Sequence, residues 1–503
     1  MKAIKLILSF LVSFLLVNGY SEDTPTMNSE QDFQYLVEQF ADLKIGRYQI
    51  THFEELTPKQ KELAYYLYEA ALSGRDMAWD QNFKYNLKIR RTLSAIAAEY
   101  SGNRETPEFE KFMEYTKRVW FSRGIHHHYS ADKIQPEFSL AYFEKLLDGT
   151  PESALPLDDA ESRSDLLEEL GAIIFDPFVA PKRVNTAANV DLIQASCNNF
   201  YEGVSQREVE SFYKKIMNPD DPFPVSFGLN SKLVRENGHL VEKTWKVGGM
   251  YSPAIEKVVF WLEKARNVAE NPRQQKALDL LIQYYKTGDL KTWDNYSIAW
   301  LQDSESTIDV VNGFIETYGD PLGYRATFES MVSFRDAEAT RRAELISSNA
   351  QWFEDHSPIM DEHKKPQVKG ISAKVITVIA LGGDASPAPP IGVNLPNANW
   401  IRKEHGSKSV TLGNITYAYH QVAQRGGMLQ EFAYSVNEIE REEEFGELAG
   451  NLHTDMHEII GHGSGQLNPG VAPPRETLKN YAAVMEETRA DLVSYYYMMD
   501  PYL

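Results

Sequence analysis

The run Lys374 to Leu381 (KVITVIAL) constrains the fold of this chain more than any other feature. It is β-branched and nearly continuous in apolar character, the pattern of a strand buried on both faces. Elsewhere the periodicity is of another kind. From about Glu30 to Glu270 apolar residues recur three and four apart with charges between them, as in Pro58 to Ser73 and Phe83 to Tyr100. Loops rich in Pro, Asp and Asn, such as Asn218 to Pro224, separate these stretches. Gly313 to Pro321 ends in a turn signal, and Ala337 to Asp355 reads as one helix. After the strand, Gly382-Gly-Asp and Pro387 to Pro390 lead into Gly392 to Asn399. That segment reads as an extended edge, because Pro396 cannot donate to a ladder. From about Gly427 the pattern is helical again. A mainly helical α+β chain follows, with a small sheet embedded among many helices.

Composition narrows the function. At 503 residues and 43% apolar content the chain is long enough for a large core and two or three domains. A formal charge of −21 repels phosphate backbones and argues against a nucleic-acid partner. The single cysteine, Cys197, can form no internal disulfide and no cysteine-based metal site, so any metal must be held by His and carboxylate. Lys2, Lys5 and the apolar run Leu6 to Val17, followed by Gly19, read as a cleavable signal peptide over residues 1–19. Twelve residues cover roughly 18 Å as a helix, short of the ~30 Å hydrocarbon core of a bilayer. The expectation is an exported protein, periplasmic or extracellular, with no stable membrane association after cleavage.

The chemistry lies near the end of the chain. Phe445 to His462 reads as one helix with the apolar stripe Phe445, Leu448, Leu452, Met456 and Ile459, and it carries His457-Glu-Ile-Ile-Gly-His462. Zinc peptidases commonly place two His at i and i+4 on one helical face with a Glu beside the first. Here the second is at i+5, and five steps of ~100° leave the two rings about 140° apart in a regular α-helix. A local π-type bulge absorbs one extra residue, and Gly461 lowers the cost of that distortion. His453 and His457 do have the ordinary i, i+4 spacing, but residue 454 is Thr, which leaves no carboxylate beside the first ligand to act as base. Taken alone, the same residues also fit surface or cap histidines on a helix that ends at Gly463-Ser-Gly465.

A second constellation changes that balance. Thr477 can cap a helix with the stripe Leu478, Tyr481, Met485, Thr488, Leu492 and Tyr495, and off that stripe Glu487 and Asp491 lie one turn apart. A dense acidic turn is ordinarily a solvated surface. Some twenty-five residues after a His-Glu helix, it is what a His₂Glu zinc site needs, with three protein ligands and one position left for water. Glu487 is then the third ligand beside His457 and His462. Glu486 and Asp491 are placed to orient ligating groups, and Glu458 is the candidate general base. By contrast, His126-His-His128 carries no adjoining carboxylate and reads as structural or surface.

His-Glu-x-x-Gly-His at 457–462 paired with Glu-Glu-x-Arg-Ala-Asp at 486–491 resembles the dipeptidyl-peptidase III family of zinc exopeptidases, as do Ile315-Glu-Thr-Tyr-Gly-Asp-Pro and Val393-Asn-Leu-Pro-Asn. The resemblance implies one zinc ion held by His457, His462 and Glu487, with Glu458 as base and Tyr318 stabilising an oxyanion. It implies that Glu316, Asn394 and Asn397 hold the free ammonium and first peptide groups of a short peptide substrate, from which N-terminal dipeptides are released. It further implies two lobes around a cleft. Residues 20–335 with 372–426 form a lobe with a small β-barrel-like sheet, and 336–371 with 427–503 form a helical zinc lobe. Members of that family continue beyond the point where this chain stops, at Asp500-Pro-Tyr-Leu503, so the zinc lobe is expected to be incomplete. The competing functions are a zinc endopeptidase and a catalytically weak or inactive zinc- and peptide-binding protein. The sequence does not address oligomeric state.

Overall fold

The computed structural model describes residues 33–368, 371–424, 427–472, 474–478 and 481–502, so the expected signal segment, 1–19, lies outside the described residues. Five strands make the central sheet: β1 (Ile308–Glu316), β2 (Thr327–Arg335), β3 (Ile371–Gly383), β4 (Gly392–Leu395) and β5 (Ser407–Leu412), in the order β1-β2-β3-β5-β4. The apolar run Lys374 to Leu381 is the middle of β3, the central strand, antiparallel to β2 and parallel to β5. Burial on both faces explains why it lacks alternation. Helix α1 (Pro58–Asn82), opened by a Thr57–Gln60 capping box, lies across β2 and β3. β4 is the edge expected around Gly392, pairing antiparallel with β5 so that Asn394 faces Ser409.

The architecture is α+β and mainly helical, in two lobes. The sheet shares its core with α1 and the helices Ser252–Asn267, Pro272–Thr287 and Leu290–Gln302. A second core, among residues 79–174, is built from helices and the loops that join them. A third joins α2 (Ala337–Ser348), α3 (Ala350–His356), the turn after α4 (Val436–Asp455) and α5 (Ala482–Tyr497). It buries Ile346, Phe353, Met456, Ile459, Val493 and Tyr497, and Val375 reaches it from β3. This helical body meets the sheet where the turn at Met456–Gly461 touches β4 and β5. Among the described residues no helix is long and apolar enough to cross a membrane.

Five local readings differ from the sequence expectation. Ala337 to Asp355 is two helices, because Asn349 sits at φ −101°, ψ 10° and its amide donates to Leu345 O at 2.8 Å, competing with the helical ladder. β1 and β2 were hidden by internal polar residues that pair with one another or with the core: Asn312 Nδ2 donates to Ser330 Oγ at 2.9 Å and Tyr285 Oη to Asn312 Oδ1 at 2.5 Å. The stripe on α4 is buried only toward its end, for Phe445 and Leu448 are exposed. On α5 the stripe Tyr481, Met485, Leu492 and Tyr495 faces outward, while Ala482, Ala490, Val493, Ser494 and Tyr497 are buried. Thr477 closes the short helix Pro474–Thr477 and is not the cap of α5.

Candidate metal centre

α4 runs without interruption into a π-turn over Met456–Gly461, and His462 N–H donates to His457 O at 3.0 Å. That i→i+5 bond links the two imidazole-bearing residues themselves. The bulge turns rings that an α-register would separate onto one side, with centroids 4.8 Å apart and planes at 89°. Gly461 has a different task from easing the distortion. A Cβ there would lie 2.8 Å from Ala490 Cα and 2.8 Å from Ala490 O, so only glycine lets the turn approach the backbone of α5 this closely.

Glu487 stands one turn before Ala490 on α5, and the close approach delivers it to the histidine pair. Its Oε2 is 3.2 Å from His457 Nε2 and 3.6 Å from His462 Nε2, and one ligand atom from each of the three lies within 4.8 Å of the others. Ligand atoms bound tetrahedrally at about 2.0–2.2 Å lie roughly 3.3–3.6 Å from one another. The two separations that involve Glu487 match that spacing, and the donor set fits a four-coordinate divalent cation. The outward nitrogens are also engaged: His457 Nδ1 is 2.8 Å from Asp491 Oδ1, and His462 Nδ1 is 2.9 Å from Glu486 Oε1. Arg489 donates to both Glu486 oxygens, at 2.6 and 3.0 Å, and to Ser464 O and Oγ. Each imidazole is thus oriented by a carboxylate and presents Nε2 inward, the arrangement metal-ligating histidines adopt. His453 lies outside this trio. Its ring stacks on Tyr495 at 4.4 Å, and its Nε2 is 3.5 Å from Asp491 Oδ1.

The charges respond to this crowding. Burial would lower the pKa of His457, but its bonds to Glu487 and Asp491 outweigh burial and raise it to about 9. Burial would raise Glu486, yet His462 and Arg489 hold it down at about 2. Glu487 is lowered chiefly by its bond to His457. Glu458 goes the other way: burial lifts it, against the attraction of His462 and His457. Its carboxyl lies against the edge strand, since a Cβ on Gly392 would come within 2.5 Å of Glu458 Oε1. A partly desolvated carboxylate beside the trio, with raised proton affinity, is suited to taking and returning a proton.

The remaining candidates gather at the other end of β4. Glu316 ends β1, and Asn397 Nδ2 donates to Glu316 Oε1 at 2.9 Å and to Ile315 O at 3.3 Å. Asn394, on β4, has its Oδ1 buried without a hydrogen-bond partner. Tyr318 is 68% exposed and lines, with Glu316, a cavity of about 420 Å³ whose walls include Tyr129, Glu329, Asp384 and Tyr419. None of the metal-site residues lines that cavity, while β4, which carries Asn394, touches the ligand turn. Glu329 escaped sequence reading. It is buried on β2 and raised well above the carboxylate range, first by desolvation and then by Glu316 and Asp384. The available signal was one charge inside an otherwise uncharged strand core (TFESMVSF). His126 is buried with Nε2 2.8 Å from Ala180 O, and His127 pairs with Asp42 at 3.1 Å, so the triple-His run is structural.

Residues 228–474 match the model of peptidase family M49. Dipeptidyl peptidase 3 of Homo sapiens is 30% identical over 220 residues, covering 44% of this chain and 29% of that protein. Dipeptidyl peptidase 3 of Nematostella vectensis is 22% identical over 480 residues, 87% of this chain and 64% of that protein. The chain thus spans less than two thirds of the length of either relative. The solved structure of DPP III from Caldithrix abyssi superposes with a TM-score of 0.65 at 22% identity, covering 89% of this chain and 72% of that one, a likeness of fold. Glu487 lies beyond the residues that the family model matches, and its place beside the histidines is given by the geometry above. Over residues 228–474, just under half of its length, the chain is similar to peptidase family M49.

Proposed function

We propose that this chain is a zinc-dependent exopeptidase that releases dipeptides from the N-terminus of short peptides. The observation that carries the reading is the convergence of His457, His462 and Glu487 within ligand distance, beside a buried glutamate. A zinc ion held there would act as a Lewis acid on the scissile carbonyl and bring the pKa of a water to about 7. Asp491 and Glu486 keep the two Nε2 atoms turned inward. Glu458 takes the proton of the attacking water and passes it to the leaving amine.

Among the described residues, β4 pairs only with β5, and its other edge is available to an extended peptide whose main chain would add to the sheet. Glu316, oriented by Asn397, accepts hydrogen bonds from the substrate ammonium, and Asn394 offers its buried Oδ1 to a peptide N–H. The phenol of Tyr318 donates to the oxyanion of the tetrahedral intermediate. Fixing the ammonium at one end of β4 and the metal at the other makes the enzyme count residues from the N-terminus.

The test is metal analysis and a dipeptide-release assay on the chain beside Glu458→Gln. The variant is expected to keep its metal and lose activity, and equal activity in both would remove Glu458 as base. N-acetylated peptides should remain intact; their cleavage would point to an endopeptidase. Zinc retention with no turnover would point to a binding protein.

A further inference from the structure

Two carboxylates that take no part in that chemistry are buried on either side of the ligand turn. Asp455, the last residue of α4, is fully buried. Its Oδ2 accepts from Arg342 Nε on α2 at 2.9 Å and its Oδ1 from Thr411 Oγ1 on β5 at 3.2 Å. Glu354, on α3, is 1% exposed. It accepts from Gly465 N–H at 3.0 and 3.2 Å and from Lys365 N–H at 2.6 Å. Lys365 Nζ then donates to Gly463 O at 2.5 Å, and Ser464 Oγ to Gly461 O at 3.0 Å.

Buried carboxylates are costly unless hydrogen-bonded, and apolar packing of the same volume commonly serves stability as well or better. Their value lies in fixing geometry. A π-turn holds one residue more than the α-register, and the surplus can be lost only by sliding out along the helix on one side or the other. On the leading side Asp455 is tied to two separate elements, α2 and β5. On the trailing side Gly465 is tied to a third, α3. With both ends held, the intervening residues have no α-helical solution and the bulge is trapped.

Resting on the metal-site reading above, we propose that Asp455, with Arg342 and Thr411, and Glu354, with its Gly465 and Lys365 contacts, are positioning residues that hold residues 456–462 in the register where His457 and His462 face one ion. None of them touches the ion or the substrate. They set the ligand spacing.

The experiment measures zinc affinity by chelator competition, the visible absorption of the Co²⁺-loaded chain, and amide exchange of the 456–462 segment in metal-free protein. Asp455→Asn and Glu354→Gln should each weaken zinc by about 10–100-fold, as loss of outer hydrogen-bond partners does elsewhere. They should also alter the cobalt spectrum and speed exchange at His462 N–H. Arg342→Lys, which retains a cation, should restore most of what Arg342→Met loses. Folded variants with parental affinity, spectrum and exchange overturn the proposal. If either carboxylate variant fails to fold, Thr411→Val and Arg342→Met decide it by the same readouts. A parent chain that binds no divalent metal refutes the metal centre instead, and slow exchange lost in the variants would still support the tethers.

Discussion

Replacing Gly461 by Ala adds one methyl group where the ligand turn meets α5. The new Cβ would stand 2.8 Å from Ala490 Cα and O and 2.9 Å from Ala490 Cβ, whereas ordinary contact begins near 3.4 Å. α5 must therefore retreat by about 0.6 Å, because protein interiors pass such a displacement on rather than absorb it. Glu487 travels with α5, and its separations from the two Nε2 atoms, now 3.2 and 3.6 Å, open by a similar amount unless the side chain follows. Metal sites tolerate about 0.2 Å in ligand distance. Overpacking costs about 1–3 kcal/mol, which corresponds to roughly 5- to 150-fold in zinc affinity. Helix propensity alone predicts the opposite sign, since Ala is favoured over Gly in a helix by about 1 kcal/mol. Chelator competition and thermal unfolding of the metal-free chain separate the two. Parental zinc affinity with a raised Tm would show that helix propensity alone governs this position and would refute the close-approach argument. Adding Ala490→Gly should recover part of the loss, because it removes the Cβ contact and leaves the backbone ones.

The orienting carboxylates should matter nearly as much as the ligands. Asp491→Asn and Glu486→Gln are each expected to weaken zinc by about 10–100-fold, with Glu486→Gln also releasing Arg489 from its bidentate contact; unchanged affinity in both would show that the Nδ1 contacts are incidental. In metal-free protein, His457 is raised from its ordinary value near 6.5 to about 9. The stability it contributes is full below pH ~6.5 and lost as pH rises through about 9, so urea unfolding of the metal-free chain should show a decline across that window that His457→Gln abolishes. The same raised value means that zinc uptake at pH 7 should release about one proton from His457, measurable by calorimetry in buffers of different ionisation enthalpy. Asn397→Ala frees Glu316 from its 2.9 Å partner and should raise KM for dipeptidyl substrates more than it lowers kcat.

What the sequence revealed and concealed follows from the range of the forces involved. A strand buried on both faces announces itself locally, and β3 was legible for that reason. The interval between His457 and His462 is a count, and a count of five is incompatible with an α-helix presenting both rings to one ion, so a bulge could be inferred before any coordinate. The orientation of α5 could not. Its apolar residues recur on two faces, and period alone does not choose between them. The face bearing Tyr481, Met485, Leu492 and Tyr495 is the bulkier and read as the core, yet burial selects Ala482, Ala490 and Val493 with Tyr497. Small side chains are buried there because the π-turn comes within backbone distance of Ala490, a constraint imposed from another element.

The supports of the site were illegible for a related reason. Glu354 and Asp455 stand 111 and 113 positions from the partners Gly465 and Arg342, and nothing beside them in the sequence marks either as buried. Glu354 sits among Asp355 and His356, in a stretch that reads as a solvated helix face, and Asp455 looks like one more charge on an acidic helix. A local pattern can specify which atoms would bind an ion, because ligand identity and spacing are properties of a few neighbouring residues. Holding those atoms to within about 0.2 Å is a property of the assembled core. A chain could therefore carry every ligand of this site and still bind metal weakly if substitutions at 342, 354, 411 or 455 let the turn relax toward the α-register.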